Sequence, residues 1–279
     1  MSDTLVDAAE LASHLDDSEW IVCDCRHDLG DYEHGRRSYA SGHIARARFL
    51  HLDEDLSGPK TGNNGRHPLP HPQTFALRLG ALGIDRAKQV IAYDSSGGYY
   101  AARLWWMLRW LGHTRAAVLD GGWDAWTRAG LPLTSERPSI EPATYVPGAR
   151  RAAAVDADFL AAHLNDASTL IVDARSEDRF RGENETIDPV AGHIPGAVNR
   201  FFKRNLRADG GFQTTDALRR DFAALLGDKD PRTVVHQCGS GVTACHNLLA
   251  MEHAGLTGSR LYPGSWSDWI SDRARPVAR

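Results

Sequence analysis

The chain has 279 residues, 42% hydrophobic and 24% charged, and a formal net charge of -4 from 32 basic and 36 acidic side chains. That is an ordinary globular composition, long enough for two cores of roughly 130 to 140 residues each. With no basic tract and no apolar run of spanning length, neither nucleic acid nor a membrane is expected as a partner.

The amino terminus, Met1-Ser2-Asp3-Thr4-Leu5-Val6, lacks the basic flank and apolar core of a leader, so a cytoplasmic location is expected. Four cysteines, Cys23, Cys25, Cys238 and Cys245, are too few for a disulfide framework and show neither C-x-x-C nor Cys/His zinc spacing. No metal site is expected, and thiol chemistry stays open. The 13 histidines are scattered rather than paired at helical spacing, and most are expected at the surface.

In chain order, short continuously apolar runs alternate with helical patterns. A strand is predicted from Trp20 to Cys23, a helix from Pro72 to Leu82, a strand from Gln89 to Tyr93, a helix from Tyr99 to Leu111 and a strand from Ala116 to Leu119. The series then repeats: helix Ala157 to Leu164, strand Leu170 to Val172, helix Asp216 to Leu226, strand Thr233 to His236, helix Ala244 to Ala254 and strand Arg260 to Tyr262. Strands this short and apolar, separated by helices, predict an α/β fold in which each parallel sheet is covered by helices on both faces. Ligands of such folds gather beyond the carboxyl ends of the strands, and Cys238 lies at such an end.

The repetition is an internal duplication. Ile21-Val22-Cys23-Asp24-Cys25-Arg26 aligns with Leu170-Ile171-Val172-Asp173-Ala174-Arg175, Gly42-His43-Ile44 with Gly192-His193-Ile194, and Gly121-Gly122-Trp123-Asp124-Ala125-Trp126 with Pro263-Gly264-Ser265-Trp266-Ser267-Asp268-Trp269. Asp94 stands where Cys238 stands. Offsets of about 143 to 150 between matched positions mean one domain copied in tandem. The expected organisation is a first domain over 1–136, a linker over 137–150 broken by Pro138, Pro142 and Pro147, and a second domain over 151–279.

The run Cys238-Gly239-Ser240-Gly241-Val242-Thr243-Ala244-Cys245 carries the chemistry. A thiol at a strand-to-helix turn faces unpaired N–H groups and the positive end of the helix, the setting in which cysteine serves as a nucleophile. Gly239 and Gly241 let the backbone curl, so the amides of Gly239 to Ala244 are expected to form a small anion-binding bowl around the sulfur. A cysteine phosphatase would need an arginine six positions after the cysteine, and position 244 is alanine.

The tandem Asp-x-Arg strands, two Gly-His-Ile motifs, the Cys-Gly-Ser-Gly-Val-Thr-Ala loop and the late Gly-Ser-Trp together resemble the rhodanese-type sulfurtransferases over nearly the whole chain. The resemblance implies a silent first domain and a second domain in which Cys238 takes sulfur from a donor, becomes a persulfide, and hands the sulfur to a thiol or cyanide acceptor. A protein thiol such as thioredoxin is one such acceptor. No metal or organic cofactor is implied. The neutral Ser240 resembles the 3-mercaptopyruvate branch, whereas the thiosulfate branch places Arg and Lys after the cysteine; thiosulfate is the alternative donor.

That branch also implies a relay of Ser240 with a histidine and an aspartate, for which Arg66-His67-Pro68 and Leu52-Asp53 supply His67 and Asp53, to polarise the donor's carbonyl or supply a proton. Arg179 matches the family arginine that clamps the donor's carboxylate. A second substrate arginine of the branch falls at Thr186 here. A thiol redox protein using Cys238 with Cys245, or a non-enzymatic persulfide carrier, are alternatives from other classes.

The remaining motif residues are expected to be structural. Asp24, Arg26, Asp173 and Arg175 should form ion pairs at strand ends, and His43 and His193 should fix turns. Trp123, Trp126, Trp266 and Trp269 recur in both copies and should pack. Cys245 should face the core from the first turns of its helix.

Overall fold

The computed structural model describes residues 4–164 and 166–279. The first three residues of the amino-terminal segment read above lie outside the described residues. The chain forms two compact units: the first runs to Gly58 and takes in Pro70–Arg151 and Arg207–Phe212, and the second takes in Pro59–Leu69, Ala152–Leu206 and Gln213–Arg279.

The first unit holds strands β1 (Leu5–Val6), β2 (Trp20–Asp24), β3 (His43–Ile44), β4 (Arg48–Phe49), β5 (Gln89–Tyr93), β6 (Ala116–Leu119) and β7 (Leu133–Thr134). Its main sheet is parallel, in the order β1-β6-β5-β2-β4, and β3 pairs antiparallel with β7. The second unit holds β8 (Ala153–Ala154), β9 (Leu170–Asp173), β10 (Val198–Asn199), β11 (Val234–Gln237) and β12 (Arg260–Leu261). Read from β8, its parallel sheet runs β8-β12-β11-β9-β10, the same order as the first. Both are two-faced α/β layers. The central strands β2, β5, β9 and β11 are buried along their whole length, which is why they read as unbroken apolar runs rather than alternating ones.

The helices that follow β5 and β11, Tyr99–Trp110 and Thr243–His253, are buried along most of their length. Predicted ends agree with the observed ones to within about a residue, and one of the differences has a clear cause. Thr233 belongs to a 3-10 turn, Pro231–Thr233, because Pro231 opens it and the Asp230 side chain accepts from Arg232 N. The strand therefore begins at Val234.

Two stretches sit differently from their expected places. Residues 137–150, read as a linker, belong to the first unit, where Ala143 N donates to Gly80 O and Gly148 N to Leu111 O. Residues 59–69, from the first half of the sequence, belong to the second unit: Arg66 N donates to Ser267 Oγ at 3.0 Å and Ser271 Oγ to Asn63 O at 3.4 Å.

The duplicated motifs do duplicated work. Arg26 forks onto Asp24 and donates to Gly42 O at 2.7 Å; Arg175 forks onto Asp173 and donates to Gly192 O at 2.8 Å. Each guanidinium lies over a tryptophan, Trp123 at 4.0 Å and Trp266 at 4.9 Å. Trp126 Nε1 donates to Pro132 O and Trp269 Nε1 to Pro276 O. The histidines correct the expectation of a mostly exposed set. His27, His43, His51, His67, His113, His236 and His246 are buried, and among the described residues only His71 is exposed. Scatter along the sequence is no guide to exposure, because backbone carbonyls can satisfy buried rings: His43 Nδ1 meets Tyr39 O and His113 Nε2 meets Lys88 O. Among the described residues no helix is long and apolar enough to cross a membrane.

Candidate active site

β11 delivers Cys238 to the carboxyl edge of the second sheet, and the helix Thr243–His253 begins five residues later. The cysteine is buried, at 1% exposure. Gly241 N points at its Sγ from 3.1 Å, and the Cys238 backbone is held from both sides: its N–H donates to Ser265 Oγ at 3.1 Å, and Trp266 N donates to its carbonyl at 2.9 Å. Gly241 has φ +76°, and a Cβ there would collide with the backbone of Pro263; at Gly239 a Cβ would meet the Arg66 guanidinium at 2.7 Å. Val242 and Ala244 are buried on the turn, Thr243 partly so. Cys245 is buried and its Sγ donates to Gly241 O at 3.2 Å, so it sits in the core as expected.

The first unit shows what this turn is built to hold. At the matching strand end the Asp94 carboxylate accepts four backbone N–H bonds: from Ser96 and Gly98 at 2.7 and 2.9 Å, and from Tyr100 and Ala101 at 2.8 and 2.9 Å. Burial pushes its carboxyl up, against the pull of those amides. Trp123 N donates to Asp94 O just as Trp266 N does to Cys238 O. The helix again starts five residues on, at Tyr99. One copy of the turn therefore encloses a fixed anion, and the other encloses a thiol.

Of the predicted relay, Ser240 and His67 meet: Oγ and Nδ1 lie 2.7 Å apart, both side chains buried, the hydroxyl donating when Nδ1 is unprotonated. Asp53 belongs to the first unit, where its Oδ2 is 3.8 Å from His27 Nε2 and its N donates to His51 Nδ1 at 3.1 Å. His27, His51 and Asp53 offer ligand atoms within 4.8 Å of one another. His51, however, accepts from Asp53 N through Nδ1 and donates to Tyr32 O through Nε2, which leaves no ring nitrogen for a metal.

Arg179 is forked onto Glu185, at 2.9 to 3.2 Å, and reaches Asp188 at 3.1 Å; its Nη2 would lie 3.7 Å from a Cβ on Gly239. Asp188 also accepts from Arg66, so two guanidinium groups share one buried carboxylate beside the Cys238 loop. Burial pushes the Asp188 carboxyl up, more than the arginines draw it down. Burial also works against charge on Glu185, but Arg179 and the amides of Asp188 and Ile187 hold it below the usual carboxylate range. For Arg175, burial is outweighed by Asp173, Glu185 and Cys238, and its affinity for the proton rises. Thr186 is exposed.

Arg66, Asp188 and Ser265 were not singled out by sequence. Arg66 precedes His67 directly, so the quoted Arg66-His67-Pro68 segment contained the signal. Ser265 could have been found from the duplication: it stands at φ +53° where the first copy has Gly122 at +52°. A side chain is tolerated in that conformation only where something holds it, here the bonds to Cys238 N and Tyr262 O.

The fold and this loop define a tandem α/β protein with one thiol-bearing turn and one carboxylate-bearing turn. The Rhodanese-like domain family matches residues 7–129 and 156–272, and the chain belongs to that family. It is 46% identical to a Pseudomonas aeruginosa protein named a probable 3-mercaptopyruvate sulfurtransferase, over 98% of this chain and 97% of the relative. It is 34% identical to a Mycobacterium tuberculosis protein named a putative thiosulfate sulfurtransferase, over 99% of this chain and 96% of the relative. The solved 3-mercaptopyruvate sulfurtransferase from Leishmania major superposes with a TM-score of 0.86 at 33% identity, covering 98% of this chain and 76% of that one.

Proposed function

We propose that this protein, a sulfurtransferase, takes sulfur from 3-mercaptopyruvate onto Cys238 and passes it to a thiol or to cyanide. The observation that carries the reading is the Cys238 sulfur in a turn whose Gly241 N–H points at it, the twin of a turn that encloses a carboxylate. In the first step the Cys238 thiolate attacks the donor sulfur, the carbon–sulfur bond breaks, and its electron pair enters the enolate of pyruvate. The donor's thiol proton ends on carbon, leaving pyruvate and an anionic persulfide. In the second step an acceptor thiolate attacks the outer sulfur and Cys238 leaves as thiolate. The attacking thiolate and the persulfide both carry negative charge, so an N–H aimed at the sulfur, as that of Gly241 is, favours each.

Ser240 with His67 polarises the donor's carbonyl as the enolate forms, and Arg179 with Arg66 receives the donor's carboxylate. A second arginine thus comes from the 59–69 segment rather than from position 186. Asp53 enters the relay through the family resemblance alone. The identity of the second relative favours thiosulfate as an alternative donor, but the neutral Ser240 weighs against a dianion.

The test compares 3-mercaptopyruvate and thiosulfate as donors with a thiol acceptor, for the native chain, Cys238→Ser, Arg66→Ala and Asp53→Asn. Native protein should prefer 3-mercaptopyruvate in kcat/KM and gain about 32 Da on the Cys238 peptide. Cys238→Ser should be inactive, and Arg66→Ala should raise the KM for 3-mercaptopyruvate about tenfold or more. A higher kcat/KM for thiosulfate overturns the donor assignment, and turnover by Cys238→Ser overturns the mechanism.

A further inference from the structure

The first unit contains a cavity of about 370 Å³ that the sulfur-transfer reading does not use. Four arginines line it, Arg36, Arg48, Arg78 and Arg137, against two carboxylates, Glu54 and Asp55. Both carboxylates are committed. Glu54 accepts from Tyr32 Oη at 2.6 Å and from Arg36; Asp55 accepts from His51 N at 2.7 Å and pairs with Arg78 at 2.6 Å. Arg48 and Arg137 are left without an ion pair among the described residues. Arg48 is partly buried, and its buried Nε has no hydrogen-bond partner. A partly buried guanidinium with no opposite charge beside it carries a desolvation cost that a bound anion would offset.

The fold does not demand this arginine. On β4, Arg48 pairs in register with Cys23 of β2; the matching pair in the second unit is Val198 with Val172. The same edge-strand position can therefore be aliphatic. Beside the guanidinium groups the wall is apolar, from Phe49, Leu82 and Ile140. The volume falls at the lower end for small-molecule pockets.

We propose that this cavity binds a small organic anion, a carboxylate with an apolar body, whose charge is met by Arg48 and Arg137. The site lies wholly within the first unit and does not depend on the donor assignment.

Benzoate serves as the probe and inorganic phosphate as the comparison, with calorimetric binding and thermal midpoints measured on the full chain. Native protein should bind benzoate with a Kd of about 1 mM or tighter and rise in midpoint. Arg48→Val, which copies the second unit, should lose affinity at least about tenfold, and Arg48→Gln should do the same if the valine variant does not fold. Arg179→Ala should bind as the native chain does. No benzoate binding by the native chain, undiminished binding by the Arg48 variants, loss in Arg179→Ala, or phosphate bound as tightly as benzoate would each overturn the proposal.

Discussion

At the scale of single residues, Ser265 shows how little separates the two copies. Its hydroxyl accepts from Cys238 N and donates to Tyr262 O at 2.9 Å, while its backbone occupies the left-handed region that Gly122 takes at no cost. Ser265→Ala keeps the strain and leaves two buried backbone groups without partners, so it should lower stability by about 1–3 kcal/mol. Ser265→Gly loses the same bonds but relieves about 1–2 kcal/mol of strain, and should melt above the alanine variant. Turnover should fall in both, because the backbone of the nucleophile loses an anchor. Equal melting of the two variants would show that the backbone is not strained at this position. Cys238, Ser240 and His67 were legible because their neighbours in sequence form a motif. Arg66 stood in the quoted segment beside His67, but its pairing with Asp188 was not legible, since that meeting depends on how residues 59–69 fold, which no local spacing encodes.

At the scale of elements, unbroken apolar runs gave strand positions to about a residue, and burial on both faces is the reason. What the pattern hid was polarity inside those strands. His236 on β11 is fully buried; its Nε2 meets Met251 Sδ at 3.1 Å, its Nδ1 has no partner, and burial, aided by Arg200, pushes it from 6.5 down to about 3. The folded state therefore holds this ring neutral while the unfolded chain takes up a proton below about 6.5. Its contribution is complete above that pH and is lost as pH falls toward about 3. Thermal midpoints of the native chain should drop across this window, and His236→Leu should show a shallower drop. His27 and His113 are also lowered by burial and remain in the variant, so the difference between the two curves isolates β11. Parallel curves would remove His236 from the account.

At the scale of the whole molecule, the duplication was visible in sequence, and the identical strand orders bear it out. The exchange of segments was not visible. Residues 59–69 lie with the second unit and 207–212 with the first, because loops carry no periodicity from which their destination can be read. A fragment of residues 152–279 would keep Cys238 and Ser240 yet lack Arg66 and His67. Its sulfur transfer should fall about a hundredfold or more below that of the full chain, measured alongside circular dichroism. A fragment working at the native rate would dismiss any role for the segment.

Asp94 sets the capacity of the protein. Its side chain already satisfies four of the amides that ring the first turn, so a sulfur-borne charge arriving there would find both the donors taken and a like charge in its path. Of two turns of one design, the one at Cys238 therefore offers the seat for transferred sulfur. The retired cradle keeps its shape because a permanent tenant, bonded to its own backbone, sits where the working one must be refilled at every cycle.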